Sequence, residues 1–570
     1  LAQEKKKQQA GKATLNAAPQ AAKKKFPEAT RVVTIRYPLL WLALAVLVVY
    51  APTLNFGFTE LDDSIFIREF HAYNEDLNNF LAAFTRGLFD ATKDPYYRPI
   101  FADSMQFNYL LFKQNIAGYH LFNLMIHMGA VMLLYNLFLK LRVKELSAFI
   151  LTLIFAVHPV LTQAVAWIPG RNDTLLAIFT FSFLISVITY AEKGQLPMLF
   201  LSILCLLLAF FTKETAVFAA PVAFILLVFL LGYKWTSQRN IVMYGTWVAC
   251  FAVWFIARAH ATVQPTHMPV VQMLGDLIHR LPLIWQYIGK IFLPYDLSVF
   301  PIQQDTPDIP GLIAIAALVT VFYFSKDINW RYVLVGAGVF LLFLLPALLV
   351  PSTLNEQSFE HRLYMPIIGI LLLLPQTFIF KKATDGSLLR YGIVLCVPLS
   401  VISYMHQRNF KDPLSFWTQA AATSPHSAYA NMMLAARLDD VSKSEELFRK
   451  AYQLNPKEKY LNFYYGKMLQ MQDSVLASES HLLYEKKTSG YYECDFYLAR
   501  VAMMKKDTVG SANYLKSYLK ADPASGPANN NLLLIDMSIG KLDDAREQVK
   551  HMRSVGMPVP PQILQQLGMK

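Results

Sequence analysis

The chain has 570 residues and a formal net charge of +12, is 55% hydrophobic, and has a mean hydropathy of +0.33. That is too apolar for a wholly soluble protein and too charged for a bare membrane bundle, which leaves a membrane domain joined to a soluble one. Four cysteines share no spacing motif, and three lie in apolar runs, so a disulfide framework and a cysteine zinc site are both excluded.

Residues 1–34 form a basic tail. Nine Lys and Arg residues through Arg36 face only Glu4 and Glu28, so +7 of the +12 precedes the first apolar run. Such a tail is expected to be disordered, to contact anionic membrane lipids and to hold the N-terminus in the cytoplasm. It has no aromatic or folded platform for nucleic acid.

Eleven apolar runs follow within residues 35–406. They are Arg36–Ala51, Tyr119–Leu139, Leu146–Ala166, Thr174–Tyr190, Pro197–Phe211, Thr215–Leu231, Asn240–Ile256, Gly311–Phe324, Trp330–Leu349, Leu363–Phe380 and Leu389–Tyr404. In hydrocarbon only helices satisfy the backbone of such runs, so the domain is all-α. With the tail inside, Lys140, Arg142, Lys144, Lys193, Lys234, Arg239, Lys381 and Lys382 also fall inside, as the charge bias of membrane proteins requires. The segment Leu281–Pro294 is 14 residues long and carries Lys290, so it reads as an interfacial helix and not a span. Eleven spans then remain, and the C-terminal domain lies on the outer face.

The polar residues that could do chemistry also collect on that face. The first outer loop, 52–118, is too long for a turn, and Leu77–Phe84 and Ala102–Phe112 read as short amphipathic helices lying on the membrane. It carries the adjacent carboxylates Asp62 and Asp63. A carboxylate here could take a proton from a hydroxyl as general base, or hold a divalent metal through oxygen. Arg98, in YYRP, could pair with a phosphate through its planar fork or act as an interfacial anchor. His120, Asn123 and His127 share one helix face, which suits either the cavity or helix packing.

Further along, HPVLTQAVAWIPGRND supplies His158, Gln163, Arg171 and Asp173. His158 is a candidate ligand for a metal or a sugar, and Asp173 could cap its helix or orient Arg171. Lys213 and Glu214 lie between two apolar runs with almost no loop, where a buried cation needs a partner or an anionic ligand. FEHRLYMP brings Glu360, His361 and Arg362, the last a second phosphate clamp. Two carboxylates among several cations suit a substrate with a lipid tail and an anionic head, the cations stabilising a leaving phosphate.

Residues 407–570 change to a soluble helical pattern. Phe448, Ala451 and Pro456, then Leu498, Ala499 and Pro523, are spaced as in tetratricopeptide repeats, with Gly466 and Ala545 at small-residue positions. Helix pairs are expected to begin near Ser427, Tyr460, Asp495 and Ala528. A stack of such pairs suits binding of a peptide or protein.

Taken together, the Asp62–Asp63 pair, YRP at 97–99, GYHLFNLMIH at 118–127, HPVLTQAVAWIPGRND at 158–173, TKE at 212–214, EHRLYMP at 360–366 and RNFKDPLSFW at 408–417 resemble the TMTC-like O-mannosyltransferases. These are GT-C membrane glycosyltransferases with C-terminal tetratricopeptide repeats. The resemblance implies transfer of a sugar, mannose or a preassembled oligosaccharide, from a polyprenyl-phosphate or pyrophosphate donor to Ser/Thr hydroxyls of exported proteins. It makes a first-loop aspartate the base, with Asp63 favoured over Asp62, and assigns Lys213, Arg98 and Arg362 to the donor phosphate. It leaves His158, Arg171, Asp173, Glu214, Glu360, His361, His120 and Gln163 lining the cavity. A divalent metal, if used, would fall to Asp62, Asp63 and His158. Leu161 and Gln163 stand where the family has His and Glu, which weakens a metal site at that turn. These departures and the short array suggest a bacterial branch: a multi-pass inner-membrane protein with a periplasmic repeat domain, or alternatively an endoplasmic reticulum protein. Two other classes compete: a GT-C enzyme acting on a lipid or envelope glycan, and a non-enzymatic scaffold or transporter. The absence of internal symmetry with broken helices at the midplane speaks against a transporter.

Overall fold

The computed structural model describes residues 34–89, 95–262, 270–350 and 357–570. The basic tail lies outside the described residues, save for its last residue. Among those described, the chain is all-helical, with one isolated β-bridge pairing Ile302 and Gln357.

Every one of the eleven apolar runs is helical. Among the described residues six helices are long and apolar enough to cross a membrane: Pro38–Asn55, Ile116–Lys140, Ile168–Lys193, Gln238–Ala261, Trp330–Leu348 and Asp385–Phe410. Glu145–Val157 and Pro159–Ala166 make a seventh if taken as one span, bent by 52° at His158–Pro159. The bend has a local cause: Pro159 has no N–H to donate, and His158 Nδ1 accepts from Val160 N in place of a helical carbonyl. Leu196–Thr212, Glu214–Leu230, Ile309–Tyr323 and Ile367–Gln376 are shorter apolar helices.

Burial separates the centre of the bundle from its rim. In the apolar stretch of Ile168–Lys193 78% of the residues are buried, whereas in that of Gln238–Ala261 only 28% are, and Val248, Val253, Phe255 and Ile256 of that helix show outward. An apolar face that no protein covers is what a lipid-facing helix presents. Two of the helices approach closely through Gly336 and Gly369, where a Cβ on either residue would strike the other's carbonyl. Leu283–Phe292 is a helix of ten residues, about 15 Å long at 1.5 Å per residue and half a bilayer core. It packs beside Ile309–Tyr323 and sends Lys290 inward.

The first outer loop holds short helices at Ile65–Glu69, His71–Glu75 and Asn79–Ala82, then the longer Pro99–Phe112. Beyond Phe410, helical hairpins follow one another: Ala428–Ala435 with Val441–Leu454, Leu461–Met471 with Val475–Ser489, Glu493–Met504 with Thr508–Ala521, and Gly526–Ser538 with Leu542–Ser554. Their starts match the four expected from the sequence. A side-chain motif recurs among them: Asn431, Asn462 and Asn529 donate Nδ2 to the carbonyls of Pro425, Pro456 and Pro523, each six residues earlier. The helix Pro413–Thr423 and the first hairpin are seated on the membrane domain. Phe300, Phe359, Trp167 and Phe56 pack with Trp417 and Phe416, while Arg437 Nη2 meets Glu60 Oε2 at 2.9 Å and Trp417 Nε1 donates to Thr59 O.

Candidate functional site

The two first-loop carboxylates have different surroundings. Asp63 is 1% exposed, and both its oxygens are engaged: Oδ2 accepts from Thr59 N (2.6 Å) and Thr59 Oγ1 (3.0 Å), and Oδ1 from Ser64 N (3.0 Å). It ties a tight turn in which Glu60 has a left-handed backbone, φ 55°. Asp62 is half-buried and accepts no hydrogen bond of this kind. Enclosure and the neighbouring Asp63 push its pKa up to about 7, against the opposing pull of Arg98. Tyr429 of the first hairpin lies within electrostatic reach of it.

Arg98, which acts on Asp62, belongs to a cluster of cations. Arg98 closes on Glu214 through Nε (3.0 Å) and Nη2 (2.9 Å), and Glu214 also accepts from Tyr97 N. Lys213 Nζ lies 2.6 Å from Asp173 Oδ1 and 3.1 Å from Asn172 Oδ1. Arg98, Lys213 and Arg362 all lie within electrostatic reach of Asp173 and of His361. Burial and these three cations hold His361 well below the usual histidine range, so the ring is neutral. Its Nδ1 contacts Gln163 Oε1 at 3.0 Å, while Gln163 Nε2 donates to Val299 O. An amide can bridge a donor and an acceptor in this way, and a glutamate could not. Arg362 donates to Gln357 O and lies over the Phe359 ring. The cluster thus combines three cations with two carboxylates, and among the described residues Arg362 has no carboxylate within ion-pair distance.

Other residues expected in the cavity are built into the walls. Arg171 is fully buried, and its donors reach Asn123 Oδ1 (2.8 Å), Asn108 Oδ1, Ser104 O and Tyr119 O. It locks the Pro99–Phe112, Ile116–Lys140 and Ile168–Lys193 helices together and has no fork left for a substrate. Its partner Asn123 spans three carbonyls, those of Val165, Trp167 and Ile168. Glu360 is also fully buried, paired with Lys290 Nζ at 2.8 Å and accepting from Ser298 N. His120 is 1% exposed and packs edge-on against Phe56. His158 contacts Ile291 O through Nε2 and Val160 N through Nδ1.

That last finding bears on the expected metal. With both ring nitrogens of His158 engaged by backbone and both oxygens of Asp63 accepting hydrogen bonds, the trio Asp62, Asp63 and His158 does not fit an ion. Among the described residues no group of three or more His, Cys, Asp or Glu side chains is arranged to hold one.

Sequence reasoning missed Asn172, which sits between Arg171 and Asp173 and shares Lys213 with the latter. It also passed over Glu60, which joins the loop to Arg437. Glu60 lies two residues before the aspartate pair, which was the available signal. Nothing local could indicate a partner 377 residues away.

No family model matches the chain. It is 24% identical over 393 residues to Protein O-mannosyl-transferase F38B6.6 of Caenorhabditis elegans, covering 65% of this chain and 55% of the relative. It is 23% identical over 439 residues to Protein O-mannosyl-transferase TMTC1 of Homo sapiens, covering 65% and 49%. A shorter match, 35% identical over 97 residues, covers 17% of this chain and 10% of human TMTC3. The chain spans about half the length of the first two relatives. Its curated homologues are the TMTC-family protein O-mannosyltransferases.

Proposed function

We propose that the chain is a membrane glycosyltransferase that moves mannose from a polyprenyl-phosphate donor to Ser/Thr hydroxyls of exported proteins. One observation carries this reading: the half-buried Asp62, whose carboxylate accepts no hydrogen bond among the described residues, is within electrostatic reach of Arg98, one of three cations gathered around Asp173. The homologues' names supply the sugar and the acceptor class.

The chemistry follows from that placement. The acceptor Oγ attacks the anomeric carbon as its proton passes to a carboxylate of Asp62. The carbon–oxygen bond to phosphate breaks, and its electron pair leaves on the lipid phosphate. Lys213, Arg98 and Arg362 offset the charge that develops there. Asp62 suits the base better than Asp63, because a carboxylate already accepting three hydrogen bonds has little basicity to offer. With four shorter apolar helices added to the six long ones and the bent pair, eleven spans put the hairpin array on the outer side, periplasmic in a bacterium. There the array would present acceptors.

The test is transfer in proteoliposomes. Full-length protein, polyprenyl-phosphate mannose and an unfolded Ser/Thr-rich acceptor should yield O-linked mannose with wild type and a loss of at least about a hundredfold with Asp62→Asn. Wild-type protein that glycosylates an added lipid or glycan and leaves the polypeptide untouched would overturn the acceptor assignment.

A further inference from the structure

A buried strap of backbone runs between the membrane domain and the array. Residues 297–302 lie between the helices Leu283–Phe292 and Ile309–Tyr323, and none of them is helical. All six are buried, and Val299 has no exposed surface. A buried segment outside regular structure has to find partners for its N–H and C=O groups.

The partners come from two sides. From the helix Pro413–Thr423, Gln419 Nε2 donates to Leu297 O (2.8 Å) and Gln419 Oε1 accepts from Val299 N (2.9 Å). Thr423 Oγ1 meets Ser298 Oγ at 2.6 Å, and Ser424 Oγ donates to Phe300 O (2.7 Å). From the membrane domain, Gln163 Nε2 donates to Val299 O (3.0 Å), and Glu360 Oε1 accepts from Ser298 N (2.9 Å). Two glutamines thus grip Val299, one by its N–H and the other by its C=O. The second grip reaches the site, because Gln163 Oε1 lies 3.3 Å from His361 N and 3.0 Å from His361 Nδ1. Glu360 opens the turn Glu360–Leu363 that carries His361 and Arg362. Ile302 pairs with Gln357, whose carbonyl accepts from Arg362 Nη1 (3.0 Å).

We infer that the strap makes the helix Pro413–Thr423 part of the site, with Gln419 a positioning residue that sets His361 and Arg362 through Val299. The consequence for turnover rests on the transferase reading, whereas the linkage stands on the hydrogen bonds alone. Gln419 matches a donor and an acceptor of the strap as a neighbouring strand would. Leucine offers neither, so Gln419→Leu leaves Leu297 O and Val299 N buried and unpaired. The strap regains partners only by shifting, which draws Val299 O from Gln163 and Ser298 N from Glu360. Seating of the array thereby fixes the arginine that meets the donor phosphate.

The experiment joins hydrogen exchange by mass spectrometry to transfer kinetics, on full-length protein in nanodiscs. Gln419→Leu should speed exchange at residues 357–364 by about tenfold or more, while the hairpin of Gly526–Ser538 and Leu542–Ser554 keeps its protection. With a Ser/Thr peptide and polyprenyl-phosphate mannose, kcat should fall roughly tenfold to a hundredfold and the peptide KM should hold. Loss of an acceptor-presenting surface would do the reverse and raise KM alone. Thr423→Val removes only the contact to Ser298 and should move both readouts the same way by less, which keeps the test open where Gln419→Leu folds poorly. His426→Ala breaks a docking contact outside the strap, with Asp305, and should change neither. Unchanged exchange at 357–364 in Gln419→Leu, faster exchange with an unchanged kcat, or an equal loss in His426→Ala overturns the positioning role. Faster exchange in Gln419→Leu with no transfer by wild type leaves the linkage standing and sinks the transferase reading.

Discussion

Two arginines near the same end of the bundle make a useful comparison. Arg171 meets only neutral oxygens, from two asparagine amides and two backbone carbonyls, and it is fully buried. Arg98 is part-exposed and shares a single carboxylate, Glu214, while Lys213 and Arg362 stand nearby. The same side chain is a structural brace in one place and, in the proposed function, part of an anion site in the other. What separates them is not distance from the membrane but whether the donors are saturated. A saturated guanidinium can leave its partners only by exposing buried acceptors, whereas a cation in a surplus of cations gains from an incoming anion. The aspartates repeat the contrast on the acidic side, with Asp63 saturated and Asp62 not.

The largest effect should come from the aspartates. Asp62→Asn is expected to lower turnover by about 10²–10⁴-fold at an unchanged membrane level, the range for loss of a general base. Asp63→Asn should instead reduce the amount of folded protein, because its one remaining acceptor oxygen serves either Thr59 or Ser64 and its NH2 is turned on the donors of the other. Immunoblots beside the transfer assay distinguish the two, and a folded, inactive Asp63→Asn with an active Asp62→Asn would reverse the assignment. Next in size, Lys213→Met should lower kcat/KM by roughly 10²-fold, as for removal of one charge-stabilising donor. Arg98→Lys should lose less than Arg98→Ala, since the ammonium keeps charge but not the fork.

Arg171→Met should do the opposite of Lys213→Met. It orphans the Asn108 and Asn123 carbonyls at about 1–3 kcal/mol each, so the thermal midpoint in detergent falls while the surviving protein turns over normally. If Arg171→Met proves stable and inactive, saturation is the wrong criterion.

Smaller again is the pH response. With Asp62 near 7, turnover should climb through that region as the carboxylate ionises. For stability the sign is reversed. The folded pKa lies above the ordinary 3.8, so ionisation weakens the fold, and the penalty grows between these two values and is complete above the folded one. Asp62→Asn should therefore raise the thermal midpoint more at pH 8 than at pH 5. The smallest effect belongs to the Glu60–Arg437 pair, which is part-exposed and should show a coupling of about 1 kcal/mol or less in a double-mutant cycle.

Hydropathy and helix periodicity are properties of neighbouring residues, so the amino-acid sequence alone determined the all-helical class, the position of every apolar run and the four hairpin starts. Pro159 announced the break in its helix for the same reason, through the N–H it lacks. The resemblance to O-mannosyltransferases was also legible, because it is carried by short strings in a set order. What only the tertiary structure decided was the state of each polar side chain. Asp62 and Asp63 are adjacent and chemically identical, yet they part because the turn at Thr59 aims its donors at one of them. Arg171, Glu360 and His158 find their main partners 48 to 133 residues away, on helices whose packing no local pattern encodes. A buried polar group is defined by what satisfies it, and satisfaction is a property of the assembled bundle.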